Sequence, residues 1–138
     1  MIYYNFETDF CLENQDKLSN WIAKTIQSEG CELIEISYIF CDDDYLLEKN
    51  IQFLNHDTLT DIISFDYSVG KQISGDIFIS IERVKENAKL FKTDFLNELH
   101  RVIIHGVLHY CGYKDKTESD AKLMREKENT YLKILDNF

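Results

Sequence analysis

Apolar positions recur along this chain with a period that switches between two and about 3.6, and the switches predict strands and helices in the order β-α-β-α-β-β-α-α-α. Residues 2–6 (IYYNF) read as a short strand. Between residues 15 and 29, Leu18, Trp21, Ile22, Thr25 and Ile26 fall at helical spacing, and Gly30 stands where a left-handed residue would close the helix. Residues 32–40 (ELIEISYIF) alternate early and are rich in β-branched and aromatic side chains, which predicts a strand. Asp42 or Asp43 is placed to cap a helix running to about Leu54, with Leu46, Leu47, Ile51 and Leu54 on its inner face. Strands are expected at 60–67 and 73–80, with Gly70 and Lys71 at the turn between them, then a helix at about 81–91. Thr93 or Asp94 can cap the next helix, which runs to about Tyr110, where Gly112 is placed to stop it. Thr117 followed by Asp120 resembles a capping box and opens a last, highly charged helix to about Leu135.

This order predicts a single α+β domain over residues 1–138, with one mixed sheet of about four strands packed with about five helices. The order of strands within the sheet does not follow from the pattern. The chain of 138 residues is 44% apolar, with nine Phe and eight Tyr, enough for one core without disulfide staples. It has no proline, no repeat and no linker. The first ten residues lack the basic and apolar regions of a signal peptide. No stretch approaches the roughly 18 to 20 apolar residues that span a bilayer. A soluble cytoplasmic protein without a membrane partner is expected. Cys11, Cys31, Cys41 and Cys111 form no CxxC pair, and reduced thiols are expected in that compartment. Cys111 lies near the motif below and is a candidate ligand or reactive thiol, although a buried small side chain is the simpler reading. The net charge of −10 weighs against an extended nucleic-acid surface.

The chemistry concentrates in His105-Gly-Val-Leu-His109-Tyr-Cys-Gly112-Tyr-Lys-Asp115. Four helical residues turn about 400°, so His105 and His109 share a face one turn apart. After Gly112 the chain can fold back, and Asp115 can complete a set of two histidines and one carboxylate. Three protein ligands plus water is the usual form of a catalytic zinc site, here at the end of a central buried helix. Leu96, Leu99, Val102, Ile103, Ile104, Val107 and Leu108 make that helix apolar almost all the way round, with the histidines on a polar stripe. Glu98, two turns before His105 on the stripe, is a candidate to orient it, and Arg101 stands one turn before. His100 points to the opposite side and His56 falls in a loop, so neither is read as a ligand. No Glu follows His105, which argues against a zinc protease.

These residues resemble the YbeY family of bacterial ribosomal-RNA maturation factors, whose pattern reads HGxLHLxGYDH. Here the sequence is HGVLHYCGYKD, with Asp115 in place of the third histidine and Lys114 in place of the Asp before it. Phe53-Leu54-Asn55 with Thr60-Asp61-Ile62-Ile63-Ser64-Phe65 resembles the family's LN…TDVLSF block, and Gly75-Asp76-Ile77-Phe78-Ile79-Ser80 its GDIxIS block. The resemblance implies a metal-dependent endoribonuclease acting on single-stranded RNA, in 3′-end processing of small-subunit ribosomal RNA and ribosome quality control. It implies zinc or another divalent transition metal held by His105, His109 and Asp115, and ribosomal RNA and the small ribosomal subunit as partners, with no DNA. The loop between Asn55 and Thr60 is shorter than is common in the family and lacks an arginine thought to help catalysis. His56, Lys71 and Arg101 are candidates to compensate, and Arg101 is the catalytic candidate among them. Lys71, Arg101 and Lys114 are candidate RNA contacts. Asp61 and Asp76 sit in matched blocks, where capping a turn or strand end is an equally good reading. Two alternatives stay open: a ribosome-assembly factor with a structural metal, and a zinc hydrolase of a small substrate.

Overall fold

The computed structural model describes residues 1–54 and 60–138. They form β1 (Ile2–Phe6), α1 (Gln15–Ser28), β2 (Glu32–Cys41), α2 (Asp43–Leu54), β3 (Ile62–Asp66), β4 (Gln72–Ser80), α3 (Ile81–Leu90), α4 (Phe95–Tyr110) and α5 (Glu118–Asp136). This is the element order the periodicity predicts. His56 and Asn55 lie outside the described residues. No helix among the described residues is long and apolar enough to cross a membrane.

The four strands form one mixed sheet in the order β1-β2-β4-β3. β1 and β4 both run parallel to β2, and β3 returns antiparallel to β4 through a turn in which Gly70 takes φ 57°. Along β4, Ile73, Ile77 and Ile79 point to one face, where they meet Ile36, Tyr38 and Phe40 of β2 and the helices α1 and α4. Phe78 points to the other face and packs with Ile63, Cys41 and Leu46 under α2. Both follow from the two-residue period of a strand. Each fully buried Ile of the main cluster contributes about 1.5–3 kcal/mol relative to exposure.

The predicted inner positions of α1 are all buried, and its end closes as a Schellman motif on Gly30 at φ 76°. There the Gly30 N–H donates to Gln27 O (3.0 Å) and the Cys31 N–H to Ile26 O (3.0 Å). Asp42 caps α2, accepting from the Tyr45 N–H at 2.9 Å, and Asp94 caps α4, accepting from the Asn97 N–H at 2.7 Å. The inner face of α2 differs from expectation. Leu46 and Asn50 point inward at i, i+4, and Ile51, about 100° further round, is 50% exposed. Leu96 is also exposed, because it sits in the first turn of α4, before the helix passes under the sheet. Two buried hydrogen bonds tie elements together: Tyr38 Oη of β2 donates to Ile103 O of α4 (3.0 Å), and Trp21 Nε1 of α1 to Tyr131 O of α5 (2.8 Å).

Candidate metal centre

α4 can lie close on β3 and β4 because Gly106 has no side chain. A Cβ there would stand 3.0 Å from Ile77 Cδ1 and 3.1 Å from Ile62 Cδ1. The residue beside it, His105, is thereby held half-buried at the sheet's surface. α4 ends in a second Schellman motif, with Gly112 at φ 108°, its N–H on His109 O (3.0 Å) and the Tyr113 N–H on Leu108 O (3.1 Å). Tyr113 Oη then donates to Glu29 Oε1 at 2.6 Å, and Tyr131 Oη of α5 donates to Glu29 Oε2. The reversed chain is fixed against α1 and α5 in this way, two residues before Asp115.

The reversal returns Asp115 to the histidine face. Asp115 Oδ2 lies 3.2 Å from His105 Nε2 and 3.3 Å from His109 Nε2, and the two Nε2 atoms are 3.0 Å apart. Donors at about 2.0–2.1 Å from a tetrahedral ion stand roughly 3.3 Å from one another. The triangle therefore has the size that three vertices of a zinc-like site require, and its two nitrogens and one oxygen are the appropriate donors. Among the described residues this is the one group of three or more such side chains close enough to share an ion.

The atom that orients His105 comes from α5. Glu128, buried at 4% exposure, accepts from His105 Nδ1 at 2.6 Å through Oε2. With the proton on Nδ1, the Nε2 lone pair faces the Asp115 carboxylate, an arrangement of two acceptors that a cation between them relieves. Burial opposes charge on His105, but the hydrogen bond and charge of Glu128, with Asp115 and Asp61, outweigh it and raise its pKa. Burial likewise pushes Glu128 up, yet its bonds to His105 and Arg101 leave it below the usual carboxylate value.

Glu98 does not take the orienting place expected of it. It precedes His105 by about 10 Å of helix, and helical side chains lean toward the N-terminus, which carries its carboxylate further away. It is instead buried in the wall of a cleft of about 370 Å³ that also includes Asp61, Asn87, Phe91, Arg101, His105, Asp115, Arg125 and Glu128. Burial, then the charge of Asp61, raise the pKa of Glu98; burial raises that of Asp61. Arg101 does reach this cleft, but its Nη1 donates to Glu128 Oε1 and its Nη2 to Asn129 Oδ1, both at 2.9 Å. Lys71 lies on the β3–β4 turn and is not among the residues lining the cleft. Lys114 is exposed beside Asp115 and borders a separate hollow with Glu29 and Tyr113. Cys111 is outside the donor set, its thiol pushed up to about 12 by burial and by Cys31. His100 packs edge-on to Trp21 on the far side of α4.

Glu128 was legible in principle. Met124, Glu128, Tyr131 and Leu135 are all buried on one stripe of α5. A carboxylate at an inward position of an otherwise apolar stripe signals a buried partner, and the abundance of charge on that helix hides it.

A mixed α+β sheet with a His-x3-His pair closed by a carboxylate at the end of its buried helix defines a small protein with three donors grouped closely enough to share one metal ion. The family model for Endoribonuclease YbeY matches residues 4–136, and the chain belongs to that family. It is 59% identical over 129 residues to the Endoribonuclease YbeY of Flavobacterium johnsoniae, covering 94% of this chain and 93% of that one. It is 60% identical over 134 residues to that of Flavobacterium psychrophilum, covering 97% and 96%. A solution structure of a Thermotoga maritima protein superposes with a TM-score of 0.69 at 27% identity, over 98% of this chain and 89% of that one.

Proposed function

We propose that this chain, as one domain over residues 1–138, is a metal-dependent endoribonuclease that cuts single-stranded RNA at the centre formed by His105, His109 and Asp115. The observation that carries the reading is the donor triangle of 3.0, 3.2 and 3.3 Å. It lies in a chain about three-fifths identical to proteins named for endoribonuclease activity. The ion is zinc or another divalent transition metal. Bound there, it would supply Lewis-acid stabilisation of the charge that develops on a phosphodiester. Glu128 keeps the proton of His105 on Nδ1 and the Nε2 lone pair turned to the centre. Arg101 acts through Glu128, holding its other oxygen, and is a positioning residue. The substrate is the 3′ region of small-subunit ribosomal RNA, in the cytoplasm, in ribosome maturation and quality control. A net charge of −10 opposes binding of free RNA, so the small ribosomal subunit supplies part of the affinity. An assembly factor with a structural metal and a hydrolase of small substrates are less well supported, because the relatives carry the endoribonuclease name.

The test compares metal-loaded wild-type and His109→Ala proteins, purified identically, on a single-stranded RNA from the 3′ end of small-subunit ribosomal RNA. Cleavage by the wild type alone is expected. Equal cleavage by both would overturn the assignment.

A further inference from the structure

We propose that Phe91 and Arg125 form a nucleotide subsite in the wall of the metal cleft, the Phe91 ring stacking on an unpaired base and the Arg125 guanidinium meeting a backbone phosphate. The proposal rests on the endoribonuclease reading and adds the residues that grip the substrate beside the scissile bond.

Phe91 is the residue on which α3 ends, and its N–H donates to Asn87 O at 2.9 Å. The Lys92 N–H then donates to Lys89 O (3.2 Å) and the Thr93 N–H to Ala88 O (3.0 Å). This is the closure seen at Gly30 and Gly112, but here a lysine takes the left-handed conformation, at φ 55°. The closure fixes the backbone beneath Phe91. Phe91 nevertheless stays 56% exposed. It is the one aromatic carbocycle among the described residues that line the cleft, whose other apolar lining is the aliphatic Ile62, Val102, Ala121 and Met124.

The arginines differ in what they have free. Arg101 is 18% exposed, with both terminal nitrogens bonded to α5. Arg125 is 56% exposed, and its Nη1 lies 3.7 Å from a Glu128 oxygen that Arg101 already holds at 2.9 Å. Most of the Arg125 donors therefore face solvent at the cleft. The net charge of −10 and the cleft's Asp61, Glu98, Asp115 and Glu128 work against long-range attraction of RNA, which Arg101 and Arg125 offset only in part. Affinity must come from contacts at short range. A base stacked on an aromatic face needs no net charge, and a guanidinium in the same cleft can meet a phosphate of the same strand.

The experiment measures binding of a fluorescein-labelled 2′-O-methyl hexaribonucleotide, which this chemistry cannot cut through the 2′-oxygen, to the metal-loaded full chain by anisotropy at several salt concentrations. Phe91→Ala should weaken binding roughly 5- to 150-fold and leave the salt slope unchanged. Phe91→Leu should behave like the alanine variant, and Phe91→Trp should restore affinity and show indole quenching on binding. Arg125→Gln should lower the slope of log K against log salt by about 0.7, the value for one single-strand phosphate. Thermal unfolding of each variant checks that the fold is kept. Wild-type affinity and slope in both Phe91→Ala and Arg125→Gln would overturn the subsite and leave the endoribonuclease reading standing. Absence of binding by wild type together with absence of RNA cleavage would overturn both.

Discussion

Glu128 and His105, 23 residues apart, meet at 2.6 Å between Oε2 and Nδ1. Through this contact the last helix sets the tautomer and direction of an imidazole at the centre of the fold. Glu128→Ala is therefore expected to lower metal affinity about 10- to 100-fold, the usual effect of removing such a partner. Glu98→Gln should leave the affinity close to wild type, because its carboxylate does not meet the imidazole. Competition with a chromophoric chelator measures both. A larger loss in Glu98→Gln than in Glu128→Ala would mean that the orienting role is wrongly placed.

Gly75 lies where Tyr110 crosses the sheet. A Cβ there would stand 2.5 Å from Phe65 O and 2.5 Å from Tyr110 Oη. The Tyr110 hydroxyl is itself held at 3.0 Å from the carbonyls of Phe65 and Asp76, so neither side can give way freely. Gly75→Ala should cost about 2–3 kcal/mol. Gly106→Ala meets only flexible Ile side chains and gains helix propensity, so it should cost less. Urea unfolding of both variants checks the ranking.

Glu29 fastens the loop that carries Asp115. Burial pushes its carboxyl up, but hydrogen bonds from Tyr113 and Tyr131 and the charge of Lys127 outweigh this, and its pKa falls below the ordinary 4.5. A lowered carboxylate stabilises the folded chain fully above its unfolded value, and that stabilisation is lost as pH falls through the folded value. The urea midpoint of wild type should exceed that of Glu29→Gln at pH 7, and the difference should shrink as the pH drops below 4.5. A difference that grows on acidification would contradict this account of Glu29.

Asp115 stands where the family pattern has its third histidine. A carboxylate makes the set harder and more anionic than three imidazoles. Asp115→His should keep one bound ion but raise the preference for zinc over manganese, read by competition between the two metals. An unchanged preference would mean that Asp115 is not a ligand.

The periodicity carries the nine elements because each alternates or repeats over a long enough window, and the glycines at positions 30 and 112 mark true left-handed ends. The histidine pair was readable because helix geometry alone puts positions 105 and 109 on one face. What local pattern cannot carry is partnership between distant segments. The insertion of β4 between β2 and β3 is of this kind, and so is the reach of Glu128 to His105. Ile51 misleads for a related reason: an apolar residue fits the helical pattern, but the fold gives its inward place to Asn50. Phe91 escapes notice because an aromatic residue at a helix end looks like core until its exposure is known.

In the proposed function, one ion at His105, His109 and Asp115 is needed to cut RNA. The most direct test of this requirement titrates metal-free protein with zinc and measures cleavage of the ribosomal 3′ fragment at each step. Cleavage should rise in proportion to metal, level off at about one equivalent per chain, and stay absent throughout in His109→Ala. Cleavage that is full without metal, or that rises identically in the variant, would contradict it.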